Sequence, residues 1–278
     1  MPSATFTVRA AGGTTLVAAV EGDGPPLFLI PGLGATRRVF DPITPALARR
    51  HRVITYDPRG VGESQLGSAT LTLPLMAADA ASVLDGASEP RADVLGASMG
   101  GVVAQHLALD STDRVRALVL AATSPGGGKS IPADPGATAA LMGRGARTPE
   151  EAYRMACTVL YSPRFQRTHQ EFIEAQIRMR AEHPVRGRVF SAQLRALETA
   201  PDIVDRLRSL RIPTLVVHGT ADVVTPVENA ELLASLIPGA RHRWFEDDGH
   251  LFFHERPEES ARVVDEFLRA ADQASASA

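Results

Sequence analysis

Serine, histidine and aspartate can share one reaction when they meet in space. The serine hydroxyl attacks a carbonyl, the histidine takes its proton, and the aspartate fixes the tautomer of the histidine. In this chain of 278 residues the serine with the right surroundings is Ser98, within Gly96-Ala97-Ser98-Met99-Gly100-Gly101. The run follows a short apolar segment ending at Leu95 and precedes a helical stretch. That is the strand–turn–helix setting in which a Gly-x-Ser-x-Gly pattern raises its serine above a sheet. The first helical residue, Met99, also offers a backbone N–H where negative charge would develop on a substrate oxygen.

Eight histidines compete for the role of base. His250 follows the strand-like Arg241 to Phe245 through Glu246-Asp247-Asp248-Gly249 and precedes the last helical stretch, so it belongs on a loop at a strand end. His106 reads as packed inside a helix, His218 sits at a strand end as a neighbour of the site, and the other five have no partner pattern. For the acid, Asp222 closes the strand-end run His218-Gly219-Thr220-Ala221-Asp222, with Asp247 and Asp248 as rivals. Pro31-Gly32-Leu33-Gly34, after another apolar strand, either supplies a second oxyanion donor through the Leu33 N–H or is a plain tight turn.

These residues need a scaffold that gathers strand ends. Leu27 to Ile30, Val53 to Tyr56, Asp93 to Leu95, Ala117 to Leu120 and Thr214 to Val217 are short, continuously apolar and rich in Val, Ile and Leu, as strands buried on both faces are. Helical stretches alternate with them at Phe40 to Arg50, Leu73 to Leu84, Met99 to Leu109, Val227 to Leu236 and Pro257 to Ala270. The alternation predicts an α/β fold with a mostly parallel, twisted sheet flanked by helices and a ligand site at the carboxyl ends of its strands. Thr5 to Ala10 and Thr14 to Val20, around Gly12-Gly13, read as a leading hairpin.

Between Ser124 and about Arg211 the alternation stops, and a Gly/Pro-rich loop leads into several helical segments. The expected organisation is a core of residues 1–123 and 212–271, a helical cap of residues 124–211, and a disordered tail of residues 272–278. Phe165, Phe172, Ile173 and Ile177 form an apolar stripe in the cap that is read as packing on the body. From 124 to 200 the cap has eleven basic and seven acidic residues, so a basic lid of +4 lies over an otherwise acidic chain of net charge -3. Such a lid can steer anionic substrates, or simply present a solvated helix face.

Composition narrows the classes further. With 44% apolar and 22% charged residues the chain reads as an ordinary globular protein, with no nucleic-acid partner. Cys157 is the only cysteine, so no intrachain disulfide and no Cys-x-x-Cys pair exists. No signal peptide or membrane span is read, and a cytoplasmic location with no membrane partner is the expectation.

The order Ser98, Asp222, His250, together with Pro31-Gly32-Leu33-Gly34, the stretch Tyr56-Asp57-Pro58-Arg59-Gly60-Val61-Gly62-Glu63-Ser64 and His218-Gly219-Thr220-Ala221-Asp222, resembles the α/β-hydrolase superfamily. The similarity runs from Phe28 to Leu268 and weakens only in the cap. Among its branches the chain is most similar to small bacterial esterases, enol-lactone hydrolases and cofactor-free perhydrolases. The resemblance implies Ser98 as nucleophile, Asp222 as acid, His250 as base and the N–H groups of Leu33 and Met99 as oxyanion hole, with no cofactor and no metal. Pro31-Gly32 stands where many members have His-Gly, and Ser98 disfavours the branches with an aspartate nucleophile.

The expected function is cofactor-independent cleavage of a small-molecule carboxylic ester or lactone through an acyl-serine intermediate. Perhydrolysis, peptide, thioester or carbon–carbon bond hydrolysis, or a non-hydrolytic biosynthetic step would use the same triad, and a non-catalytic ligand receptor is the rival from another class.

Overall fold

The computed structural model describes residues 4–276. Eight strands form one sheet in the order β1-β2-β4-β3-β5-β6-β7-β8. They are β1 (Ala4–Arg9), β2 (Thr15–Glu21), β3 (Pro26–Ile30), β4 (Arg52–Tyr56), β5 (Ala92–Ala97), β6 (Val115–Ala121), β7 (Thr214–Gly219) and β8 (Arg241–Phe245). Only the β1–β2 and β2–β4 pairings are antiparallel, and β4 through β8 run parallel.

The continuously apolar strands are explained by burial on both sides. In β3, Phe28 and Ile30 enter one core while Leu27 and Leu29 enter the other, and β6 divides in the same way into Leu118 and Leu120 against Ala117, Val119 and Ala121. The period-2 alternation of side chains thus feeds two apolar layers, and an apolar residue is favoured at every position. The first layer is covered by α2 (Leu73–Gly86), α3 (Met99–Asp110), α9 (Val204–Leu207) and α10 (Val227–Leu236). The second is covered by α1 (Thr44–Leu47) and α12 (Pro257–Ala276), with α11 (Phe252–Glu255) between β8 and α12.

Between β6 and β7 lie the helices α4 (Pro135–Leu141), α5 (Pro149–Leu160), α6 (Pro163–Thr168), α7 (Gln170–Glu182) and α8 (Gly187–Glu198). Each of α4, α5 and α6 starts on a side-chain cap, Asp134, Thr148 and Ser162, followed by proline in the first turn. That arrangement satisfies donors the helix leaves free. In the apolar stripe Phe165, Ile173 and Ile177 are buried, and Phe165 stacks on Tyr161 at 5.4 Å between ring centres.

Two expectations are corrected. A helix over Phe40 to Arg50 shrinks to a 3-10 turn at Arg37–Phe40 and the four residues of α1. Pro42 and Pro45 lack the N–H groups a continuous helix would need there. The tail expected to be disordered from 272 is helical through Ala276, because the amphipathic α12 that buries Val264, Phe267 and Leu268 simply continues. Residues 277 and 278 lie outside the described residues. Among the described residues no helix is long and apolar enough to cross a membrane.

Candidate active site

Ser98 stands between β5 and α3 with φ 55° and ψ -126°, in a region that L-residues rarely occupy. Neighbouring bonds enforce it. The Ser98 N–H donates to the Ala121 carbonyl at 2.9 Å, and its own carbonyl accepts from Gly101 N–H at 2.8 Å and from the Thr123 hydroxyl at 2.7 Å. The turn is so tight that a Cβ on Gly96 would meet the Gly100 carbonyl, and one on Gly100 would meet the Ile30 carbonyl. Glycine is therefore required by close packing on both sides of the serine. Met99 begins α3, so its N–H is one of those the helix leaves free.

The strand-end loops bring His250 and Asp222 together, 28 residues apart in sequence. His250 Nδ1 lies 2.7 Å from Asp222 Oδ2 and both side chains are buried. A carboxylate only accepts, so Nδ1 carries the proton and Nε2 is left as the basic nitrogen. The two loops are also tied through their backbones, with Ala221 N–H donating to the Asp248 carbonyl at 2.9 Å.

Asp222 is held as an anion. Burial opposes its charge, but His250 and His218 beside it outweigh that cost and keep the carboxyl well below the usual carboxylate range. Val224 and Thr225 N–H groups each donate to Oδ1 at 2.8 Å. His218 Nε2 lies 2.7 Å from the Thr225 carbonyl and 3.1 Å from Asp222 Oδ2. Because a carbonyl only accepts, Nε2 is the protonated nitrogen of His218 and it shares that proton with Asp222.

Neither rival acid pairs with His250 among the described residues. Asp248 is buried in ion pairs with Arg164 at 2.6 Å and Arg256 at 2.5 Å, and Asp247 is exposed. Gly249 and Leu251 flank His250 and bind the rest of the chain. Gly249 N–H donates to Glu255 Oε1 at 3.0 Å, and Leu251 N–H to the Leu160 carbonyl at 2.9 Å.

Ser98 and His250 line one cavity of about 310 Å³ beneath the cap, together with Gly32, Leu33, Val224 and Tyr153. The Pro31–Gly34 loop lies against the serine, since a Cβ on Gly32 would stand 3.0 Å from Ser98 Cβ. Leu33 lines the same cavity as Ser98.

Three further residues at this site had no assigned part in the sequence reading. His254 lines the cavity, fully buried, with Nε2 2.7 Å from the Val39 carbonyl and Nδ1 3.0 Å from the Tyr161 hydroxyl. Burial pushes its pKa down to about 4, against the opposing effect of the Val39 carbonyl. Arg180 also lines the cavity, faces the Tyr153 ring at 5.5 Å and donates to the Gly34 carbonyl, and no carboxylate among the described residues lies within 4 Å of it. Gln193 accepts from the Gly34 N–H at 2.8 Å. A signal for Gln193 exists in the sequence, because it stands four residues after Val189 on the buried stripe of α8, where a polar side chain is out of pattern.

The chain belongs to the α/β-hydrolase fold family, whose signature matches residues 25–257. Its relatives include hydrolases of several kinds. It is 30% identical over 266 residues to a putative carbamate hydrolase, RutD, of Azorhizobium caulinodans, covering 94% of this chain and 98% of that protein. It is 28% identical over 260 residues to 3-oxoadipate enol-lactonase 1 of Acinetobacter baylyi, covering 93% and 94%. Among solved structures, a thermophilic esterase from Thermogutta terrifontis superposes with a TM-score of 0.80 at 29% identity, covering 98% of this chain and 99% of that one.

Proposed function

We propose that this protein hydrolyses a carboxylic ester or lactone through an acyl-Ser98 intermediate. The observation that carries the reading is the 2.7 Å His250–Asp222 bond at a cavity that Ser98 also lines, with Ser98 on a strained strand-to-helix turn. His250 Nε2 takes the proton of Ser98 Oγ as that oxygen attacks the carbonyl carbon. The N–H groups of Leu33 and Met99 receive the developing oxyanion. When the tetrahedral intermediate collapses, His250 returns the proton to the leaving alcohol, and it then activates a water that releases the acid. Asp222 keeps Nδ1 protonated and stabilises the imidazolium at each stage. Every step is assigned to a side chain or a backbone N–H, so EDTA leaves kcat/KM unchanged in this scheme.

The substrate is read as a small molecule, from the size of the cavity and its mostly apolar lining. Arg180, the cation in that lining with no carboxylate within 4 Å among the described residues, favours a substrate with an anionic group. Mass spectrometry of the protein after a fluorophosphonate probe is the test. One adduct on Ser98, absent in Ser98→Ala, together with a burst of alcohol release from an activated ester, supports the acyl-enzyme. Turnover of esters by Ser98→Ala at the wild-type rate would exclude it.

A further inference from the structure

The Pro31–Gly34 loop leaves β3 at Ile30, and its own turn contributes only the Ala35 N–H to Gly32 carbonyl bond at 3.1 Å. Its Gly32 side packs on the Ser98 turn, and the hydrogen bonds of Gly34 come from the cap. The Gly34 N–H donates to Gln193 Oε1 at 2.8 Å, the Gly34 carbonyl accepts from the Arg180 guanidinium, and the Phe190 ring packs against Gly34 Cα. Gln193 lies 159 residues away in sequence, on α8.

The energetics of Gln193 are unusual for a packing residue. It is 0% exposed, and its Nε2 has no hydrogen-bond partner within the protein. Leaving a buried amide half unsatisfied costs about 1–3 kcal/mol, which a leucine or methionine at that place on α8 would avoid. What the glutamine supplies is one acceptor, aimed at the peptide unit that follows Leu33. The Leu33 N–H lies in the Gly32–Leu33 peptide plane, which is joined through Leu33 Cα to the Leu33–Gly34 plane that Gln193 holds, and Gly34, at φ 61°, adds a freely rotating residue just after it.

We infer that Gln193 is a positioning residue that fixes the Leu33 N–H in the oxyanion hole, so that the cap completes the catalytic apparatus as well as covering it. This rests on the reading of Ser98 as nucleophile and Leu33 as donor given above. Gln193 touches the loop and not the reacting atoms, so its loss acts on stabilisation of the transition state rather than on substrate binding.

The experiment compares Gln193→Leu, which removes the acceptor, with Gln193→Glu, which keeps an oxygen in place. Active sites are first titrated with the fluorophosphonate probe, so that rates refer to folded, labelled enzyme. Gln193→Leu should then lower kcat on an activated ester roughly 10- to 100-fold, with KM within about threefold of wild type. Affinity for an aryl boronic acid, which forms a tetrahedral adduct on Ser98, should weaken by the same factor as kcat/KM. Gln193→Glu should recover most of both. A wild-type kcat in Gln193→Leu, a loss confined to KM, or equal losses in the two variants would overturn the inference.

If Gln193→Leu does not fold, hydrogen exchange of the wild-type Gly34 amide decides instead. Slow exchange supports the clamp, and exchange at the rate of an open loop refutes it. Failure of the wild-type protein to label at all would defeat the acyl-serine reading itself, a result distinct from any of these.

Discussion

The backbone of Ser98 is in a conformation that costs a residue with a Cβ about 1–3 kcal/mol, and three hydrogen bonds around it oppose relaxation. These bonds hold the backbone that carries the hydroxyl at the cavity Ser98 shares with His250. Ser98→Ala and His250→Ala are each expected to remove nearly all turnover, and Asp222→Asn to lower kcat on the order of 10^4 by leaving His250 in the wrong tautomer. The double variant Ser98→Ala/His250→Ala should be no worse than either single one, because the residues act as a unit. Wild-type kcat in Asp222→Asn would remove that residue from the triad. His254 gives a prediction about stability. Its folded pKa of about 4 lies below the ordinary histidine value of about 6.5, so between those two pH values the unfolded chain binds a proton that the folded protein does not. Stability therefore falls as pH drops from about 6.5 to about 4, whereas the Asp222 contribution persists until the pH falls below the unfolded carboxylate range near 3.9. Urea unfolding at pH 7 and pH 4.5 should show wild type losing roughly 2–3 kcal/mol more than His254→Phe over that interval. Equal losses would show that His254 is not held neutral.

At the scale of elements, the loop carrying His250 is braced by the junction of α5 and α6. Glu255 accepts from Ser162 N–H at 2.7 Å, Ser162 Oγ at 2.5 Å and Gly249 N–H at 3.0 Å, so one carboxylate joins cap, loop and α11. Burial raises its pKa despite those bonds. Removing the acceptor by Glu255→Ala leaves buried donors unpaired, a loss of about 3 kcal/mol, which for a chain of this size means a Tm lower by roughly 6–12 °C. Differential scanning calorimetry reads this directly, and an unchanged Tm would show that water replaces the carboxylate. The strands were legible in the sequence because two-sided burial writes itself as short, largely apolar segments such as Leu27 to Ile30 and Ala117 to Leu120, and the later helices because they alternate with those segments. The segment from Phe40 to Arg50 was misread because its apolar spacing suggested a helix while Pro42 and Pro45 forbade a continuous one. Apolar pattern reports which face is buried, and hydrogen-bond supply decides whether the turn can close.

Charge operates at the scale of the whole molecule. The cap segment from 124 to 200 is +4 against -7 for the rest of the chain, and two of its ten arginines are spent on surface pairs, Arg154 with Glu174 and Arg147 with Glu151. Exposed pairs of this kind contribute little to stability. Arg180 differs, because it lines the cavity. Of two matched esters, one with a free carboxylate and one with that group methylated, the anion is expected to have the higher kcat/KM, by roughly tenfold at low salt and less as ionic strength rises. Arg180→Met should bring the ratio close to one. Equal rates for the pair in wild type at low salt would leave the basic cap without a part in recognition.

The sequence by itself determined the sheet, its mostly parallel course, the helical insertion after β6 and the short strand-end segments on which Ser98, Asp222 and His250 stand. Those features rest on local patterns, namely apolar runs, glycines beside a serine, and a polar residue just past a strand. The sequence favoured Asp222 over Asp247 and Asp248 from its place at a strand end, and the tertiary structure supplied the contact, with Asp222 against His250 and Asp248 between Arg164 and Arg256. The contacts made by His218, His254, Arg180 and Gln193 likewise come only from the structure. His254, Gln193 and Arg180 contact groups 215, 159 and 146 residues away along the chain, and no local pattern encodes a partner that only folding brings within reach.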